Sequence, residues 1–519
     1  MAATGPTTAY GTEDAEASGR KSVTLYSTGH YVEWVAAKAA NALTVRYSMM
    51  DATAGGGTSN TLSLYVNGIK VRTLDVSSKY AWVYGGYPFN NNPSTGNAHR
   101  FFDESSFLDL DIPAGAKVRL QKDAGDTASY YKIDLVDLEQ VDAAYAMPAN
   151  FVAVTSYGAV ANDGFDDTVA INQAISAAKA SAQGVWIPAG TFDINAQIAV
   201  AKVQVRGAGM WHSTLQGSNG KGGFVGRGSN ITIADLSLKS DSTARNDSAD
   251  NPGFEGSFGP GSLIQNVWVE HMKVGIWTGA GTNGLFMVNG RIRNTWADGV
   301  NLAGDVFNTT VSHLNLRNTG DDGMAMFSDG KANVNNTFRY NTAQLPILAN
   351  AFAIYGGQDN KLLDNIGADT VTSGAGIAIS TRFNAVSFAG TTEVRRNTLH
   401  RTGSYEYGFT TRLPALWIYA YTEAGAKAPV EITAPVVIDT LTATDSTYDG
   451  MLLSYGSAIT KLSLNNVQFK NSGRYGMNFD NVTGTGNFSA VEITAAKTAA
   501  VNNANNSYKI VRGSGNSGW

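Results

Sequence analysis

Two patterns of apolar and polar positions divide this chain. From Lys21 to about Asp142, short runs alternate apolar with polar residues: ALTVRYSM (Ala42 to Met49), TLSLYVNGIKV (Thr61 to Val71), AKVRLQKD and YYKIDLVDLE. Runs rich in Val, Leu, Tyr and Thr with this alternation are strands, and no helical period competes with them. Val66-Asn67-Gly68-Ile69 predicts a hairpin, because Asn-Gly supplies the positive φ angles of a type I′ turn. An antiparallel β-sandwich is expected over residues 21–145, preceded by an N-terminal segment, 1–20.

At Phe151 the pattern changes. Ile171, Ile175 and Ala178 recur at helical spacing behind Asp167, a good N-cap residue, and predict one short amphipathic helix. Beyond it the chain repeats. VEHMKVGIW from Val269, RNTWADGVN from Arg293 and RNTGDDGMA from Arg317 align without gaps at intervals of 24 residues. An Asn-rich corner followed by a Gly-apolar strand, at this period, is one coil of a parallel β-helix. FAIYGG (Phe352), GIAIS (Gly376), ALWIYA (Ala415), GMLLSYG (Gly450) and YGMNFD (Tyr475) read as the same strand in later coils, with insertions in the loops between. The expected fold is all-β, a sandwich followed by a right-handed parallel β-helix over 149–519, whose open first coil the helix covers.

Composition agrees: of 519 residues 57 are Gly, 43% are hydrophobic and only 16% charged, which suits many short strands and tight turns. A net charge of −5 implies no nucleic-acid partner, and no apolar run is long enough to span a membrane. With no cysteine there is neither a disulfide framework nor a thiolate metal site. The opening MAATGPTTAYGTEDAEASG has no charged stretch followed by an apolar one, as in a mature exported chain and equally in a cytosolic one.

The repeat has a chemical consequence. Asp298 and Asp322 hold equivalent places in adjacent coils, so they stack about 4.8 Å apart. Asp321 aligns with Ala297 and adds a third carboxylate. Simple alternation would send Asp321 and Asp322 to opposite faces, whereas a corner permitted by Gly320 and Gly323 would let both face outward. Crowded like charges hold at least one proton at elevated pKa. Glycosidic cleavage needs one carboxylic acid and one carboxylate. Turn capping and calcium ligation are the competing readings of the same residues. Trp277, Trp296, Tyr355, Arg382 and Trp417 are candidates to line a sugar-binding cleft, as aromatic faces stack on sugar rings; coil packing is the alternative for each. His313 and His400 receive no role.

Three resemblances sharpen this reading. TEDAEASG, YVEW, LTVRYS, LSLYVNG, AGAKVRL and YKIDLVDLE resemble pieces of family 6 and family 35 carbohydrate-binding modules. That resemblance implies a structural calcium ion, with Glu13, Glu16 and Asp134 at the matching places. The segment from Val152 to Ile194 resembles the opening of the pectate-lyase-like superfamily. A DD pair with a further Asp one coil earlier is similar to the inverting β-helix glycosidases: polygalacturonases, family 49 dextranases and family 87 α-1,3-glucanases. The Gly-His-Gly and downstream Arg-Ile-Lys of polygalacturonases are missing, and RIR at Arg291 lies on the wrong side of the pair, which argues against pectin. WADGVNL and TGDDGMAM look most like family 87, the mutanases.

The resemblance implies an endo-acting, inverting hydrolase of α-1,3-glucan from fungal walls or biofilm, secreted, bacterial and monomeric. Asp321 would be the general acid, with Asp298 and Asp322 holding and deprotonating water. No cofactor is needed for catalysis. Acid and base are expected about 6.5–9.5 Å apart. A dextranase-like enzyme, a calcium-dependent polysaccharide lyase and a non-enzymatic glycan-binding β-helix are the other functions this sequence allows.

Overall fold

The computed structural model describes residues 2–3 and 11–519, apart from 407–409, 425–429 and 505. The chain forms two compact units: Met1–Ala144 with Ser242–Asp247, and Tyr145–Asp241 with Ser248–Trp519.

The first unit is a β-sandwich of a five-stranded and a four-stranded antiparallel sheet. Leu43, Val45 and Tyr47 pack with Leu62, Leu64, Val118, Leu120 and Ile133 to form its core. The predicted hairpin joins Ser59–Val66 to Ile69–Ser77, with Asn67 at φ 50° and Gly68 at φ 81°. Ala2–Ala3 pairs with Val23 and Thr24 at the edge of the five-stranded sheet. Glu13–Glu16 is a single helical turn, capped by the Thr12 side chain, which accepts from the Ala15 N–H.

The second unit is a parallel β-helix, right-handed as parallel crossovers are. One face is a 19-stranded sheet from Phe151–Ala153 to Tyr508–Arg512; another is a 12-stranded sheet from Ile198–Val200 to Ala499–Asn502. The five later strands expected from the sequence all belong to the 12-stranded sheet. The helix Thr168–Ala180 buries Ile171, Ala174, Ile175 and Ala178 in the core of the first coils. Its cap differs from expectation: Asp166, not Asp167, accepts the Thr168 N–H at 3.0 Å, while Asp167 accepts from Val160.

The register corrects one detail of the repeat. On the 12-stranded sheet Ile276 pairs with Val300 and Val300 with Met324, the predicted interval. On the 19-stranded sheet Arg293 pairs with Arg317, but Glu270, not Val269, pairs with Arg293. The corner after Arg293 holds one residue more than the corner after Glu270, so the two sheets step differently there. At these corners Asn294 and Asn318 adopt left-handed φ of 52° and 62°, and Asn318 Nδ2 donates to Asn294 Oδ1 at 2.6 Å. Buried Asn341, Asn365 and Asn397 form a similar ladder, which satisfies backbone groups the corners would otherwise leave unpaired.

Candidate active site

The corner leading from the 19-stranded to the 12-stranded sheet brings the three aspartates together. The Gly275 N–H donates to Asp298 O, Gly299 N–H to Asp322 O and Gly323 N–H to Asn350 O. Asp298, Asp322 and Asn350 therefore occupy the same corner position in three successive coils. Asp321 is anchored one residue earlier, its N–H donating to Ala297 O at 3.2 Å. The glycines act by close approach, since a Cβ at Gly320 would lie 2.2 Å from Trp296 O and one at Gly323 2.5 Å from Ala351 O. Only glycine lets the coils stack at this spacing.

One carboxylate oxygen from each of Asp298, Asp321 and Asp322 lies within 4.8 Å of the others. Asp321 thus joins the cluster and does not point to the opposite face. Asp298 and Asp322 are buried, and Asp321 is half-buried.

Asp322 is the most tightly held. Its Oδ1 accepts from Asn350 N at 2.7 Å and Asn350 Nδ2 at 2.8 Å; its Oδ2 accepts from Tyr355 Oη at 3.0 Å. Burial, aided by the Asp321 charge, nevertheless pushes its carboxyl up to about 7. Asn301 Nδ2 donates to Asp298 Oδ2 at 3.3 Å. Asn301 is the Asn of WADGVNL, three residues after Asp298 on the strand Val300–Ala303. Asn350 carries no motif; its corner position one coil after Asp322 is the signal that could have found it.

Side chains alternate along the 12-stranded sheet. Met324, Met326, Phe352 and Ile354 point into the core, while Ala325, Phe327, Ala353 and Tyr355 form an outer face with Trp417 and Tyr419. Of the five residues expected to line a cleft, Tyr355 touches the aspartate cluster directly. Trp277, half-buried, pairs in register with Asn301 and has Lys273 Nζ 5.8 Å from its ring centre. Arg382 lies 4.6 Å over the Phe383 ring and 5.9 Å from that of Tyr421. Trp296 and Trp417 are buried, like Tyr355, and Trp417 stacks on Tyr419 at 3.8 Å and donates to Ser454 Oγ.

The candidate calcium ligands are engaged by protein groups. Glu13 accepts from Ser48 and Tyr130 and pairs with Lys132. Glu16 accepts the N–H groups of Arg100 and Phe101, and burial pushes it up to about 7. Asp134 pairs with Arg46 at 2.5 Å and accepts from Ser18. Among the described residues the only group of three or more acidic or histidine side chains converging closely enough to hold an ion is the Asp298 cluster itself.

A fourth aspartate shows how position alone misleads. Asp449-Gly450-Met451 repeats the Asp322-Gly323-Met324 pattern, and its strand belongs to the same sheet. Asp449 is fully buried, but Arg474 clamps both its oxygens and Asn478 Nδ2 donates to Oδ2 at 2.9 Å. It is neutralised in place and is a structural ion pair.

A parallel β-helix with clustered carboxylates at one corner, beside an aromatic sheet face, defines a carbohydrate-active enzyme of the β-helix class. Comparison with known proteins gives the family. Residues 1–141 match the profile of the alpha-1,3-glucanase catalytic domain D1, and 165–517 that of domain D2. The catalytic unit of the thermostable GH87 α-1,3-glucanase of Streptomyces thermodiastaticus strain HF3-3 is 35% identical. The match covers 100% of this chain and 94% of that one, with a TM-score of 0.90. The Agl-KA catalytic domain is 28% identical over 100% and 95% of the two chains, with a TM-score of 0.88. The A-module of the Azotobacter vinelandii mannuronan C-5 epimerase AlgE6 is 17% identical over 70% of this chain and 99% of that module, with a TM-score of 0.53, and shares the fold alone. No curated protein matches by sequence. The chain belongs to glycoside hydrolase family 87, the α-1,3-glucanases, and is a glycoside hydrolase. The lyase and non-enzymatic readings give way to this assignment.

Proposed function

We propose that this enzyme hydrolyses internal linkages of α-1,3-glucan with inversion, using Asp321 as general acid and Asp298 with Asp322 to hold and deprotonate the attacking water. Water oxygen bonds to the anomeric carbon as the glycosidic C–O bond breaks. Asp321 gives its proton to the departing oxygen, and the pair takes one from the water. The convergence of three carboxylates carries the reading, because a nucleophile and an acid would need only two. Asp321 is the most exposed of the three and so the best placed to meet a leaving group. A base titrating near neutrality, as Asp322 does, is well matched to accepting a proton at working pH.

Relatives support the assignment. GH87 α-1,3-glucanase catalytic domains have been solved with nigerose and with tetrasaccharides, in variants with a single Asp replaced by Ala. The three replaced positions are separated by 23 residues and by one, the same intervals that separate Asp298, Asp321 and Asp322. An insoluble polymer cannot enter a cell, which supports a secreted enzyme acting outside it. Proton NMR during hydrolysis of α-1,3-glucan tests the stereochemistry. The β-anomer should appear first, before mutarotation; the α-anomer first would make one of the stacked aspartates a nucleophile. Reducing-sugar release from α-1,3-glucan, but not from dextran or pectate, tests the linkage.

A further inference from the structure

The donors around Asp322 form a closed arrangement. Asn350 Nδ2 donates both to Asp322 Oδ1 at 2.8 Å and to Tyr355 Oη at 3.1 Å. The amide orientation is fixed from the other side, since Ala375 N–H donates to Asn350 Oδ1 at 2.8 Å. Tyr355 is held in turn: its ring meets Phe327 edge-on at 5.8 Å and Phe383 at 5.4 Å. With its proton aimed at Asp322 Oδ2, the Tyr355 hydroxyl completes three donors on one buried carboxylate. These residues come from three successive coils, so the carboxylate has little freedom to turn.

We propose that Asn350 and Tyr355 are positioning residues of this enzyme, which lock the Asp322 carboxylate in the orientation and ionised form in which it accepts the proton of the attacking water. The proposal rests on the role given to Asp322 above. Burial and the neighbouring Asp321 charge favour the protonated form, while the three donors oppose them. The charged and titratable groups facing this site are Asp298 and Asp321 from the corner, and Tyr419 with Arg382 beyond Tyr355. Removing a donor from Asp322 raises its pKa, so a base that must be ionised is lost at higher pH. A hydrogen bond to a charged group is worth roughly ten- to a hundredfold in an equilibrium.

Tyr355→Phe removes one hydroxyl and keeps the packing of the ring. Its kcat on α-1,3-glucan oligosaccharides is expected to fall roughly ten- to a hundredfold with KM little changed. The acid limb of its kcat/KM profile should move to higher pH. Tyr508→Phe, which removes a buried hydroxyl from the core of the last coils, serves as control and should leave both unchanged. Thermal melts of both variants separate lost folding from lost function. A fall in kcat with an unmoved acid limb would overturn the positioning role while leaving Asp322 as base. Wild-type kcat would overturn it equally. Movement of the basic limb instead would show Asp322 acting as an acid, and would overturn the role on which the proposal rests.

Discussion

Asp322→Asn should separate stability from activity more sharply than any other substitution. Asp322 is buried, and its carboxyl titrates near 7 against an ordinary value near 4. A folded-state pKa raised in this way favours folding only while the group stays protonated. That stability is fully present below about pH 4 and is lost as pH rises through 7. Above pH 7 the ionised carboxylate therefore costs on the order of 4 kcal/mol relative to its solvated form. Asparagine has the same shape and never ionises. Its Oδ1 can accept both Asn350 donors, and its amide can donate to the Tyr355 oxygen.

The variant is expected to be about 1–4 kcal/mol more stable than wild type at pH 8 and equal to it near pH 3. A long coil stack need not unfold in one step, so the quantity to measure is the Tm at each pH, by circular dichroism. A rise of a few degrees at pH 8, vanishing at the lower pH, is expected. Glu16, which titrates near the same value, contributes a parallel dependence to both proteins and cancels in the difference. Activity should fall about 100- to 10,000-fold, the usual contribution of a catalytic base. A variant less stable than wild type at pH 8, or a gap independent of pH, would refute the reasoning.

Asp298→Asn and Asp321→Asn are each expected to abolish turnover with the fold retained, checked by glucan hydrolysis alongside a thermal melt; near-wild-type rates would move the chemistry elsewhere. Asp449→Ala strips the partner from Arg474 and should cost about 3–5 kcal/mol of stability while KM stays unchanged, measured by melting and kinetics. Gly320→Ala drives a Cβ into the Trp296 carbonyl and should lower both Tm and kcat, because that contact sets where Asp321 lies. EDTA should alter neither turnover nor Tm, as Glu13, Glu16 and Asp134 are satisfied by protein donors. A drop in Tm restored by calcium would show that an ion is held there.

What the sequence determined by itself was whatever one coil or one turn carries. Asn67-Gly68 dictates its hairpin because few other residues accept those φ angles. The 24-residue interval stacks Val300 on Met324, and with them Asp298 beneath Asp322, because parallel strands add coil on coil at constant rise. Other matters were decided only by tertiary structure. Asp449 has the same local pattern as Asp322, and nothing near it in sequence reveals that Arg474 pairs with it while Asn350 and Tyr355 donate to Asp322. Glu13, Glu16 and Asp134 read as a set of ligands, and only the fold shows that Lys132, Arg46 and the backbone N–H groups of Arg100 and Phe101 meet them. The reason is common to both cases. A buried carboxylate takes its role from the donors that neighbouring strands and coils bring to it, and those donors lie tens of residues away, at distances set by loops of unequal length.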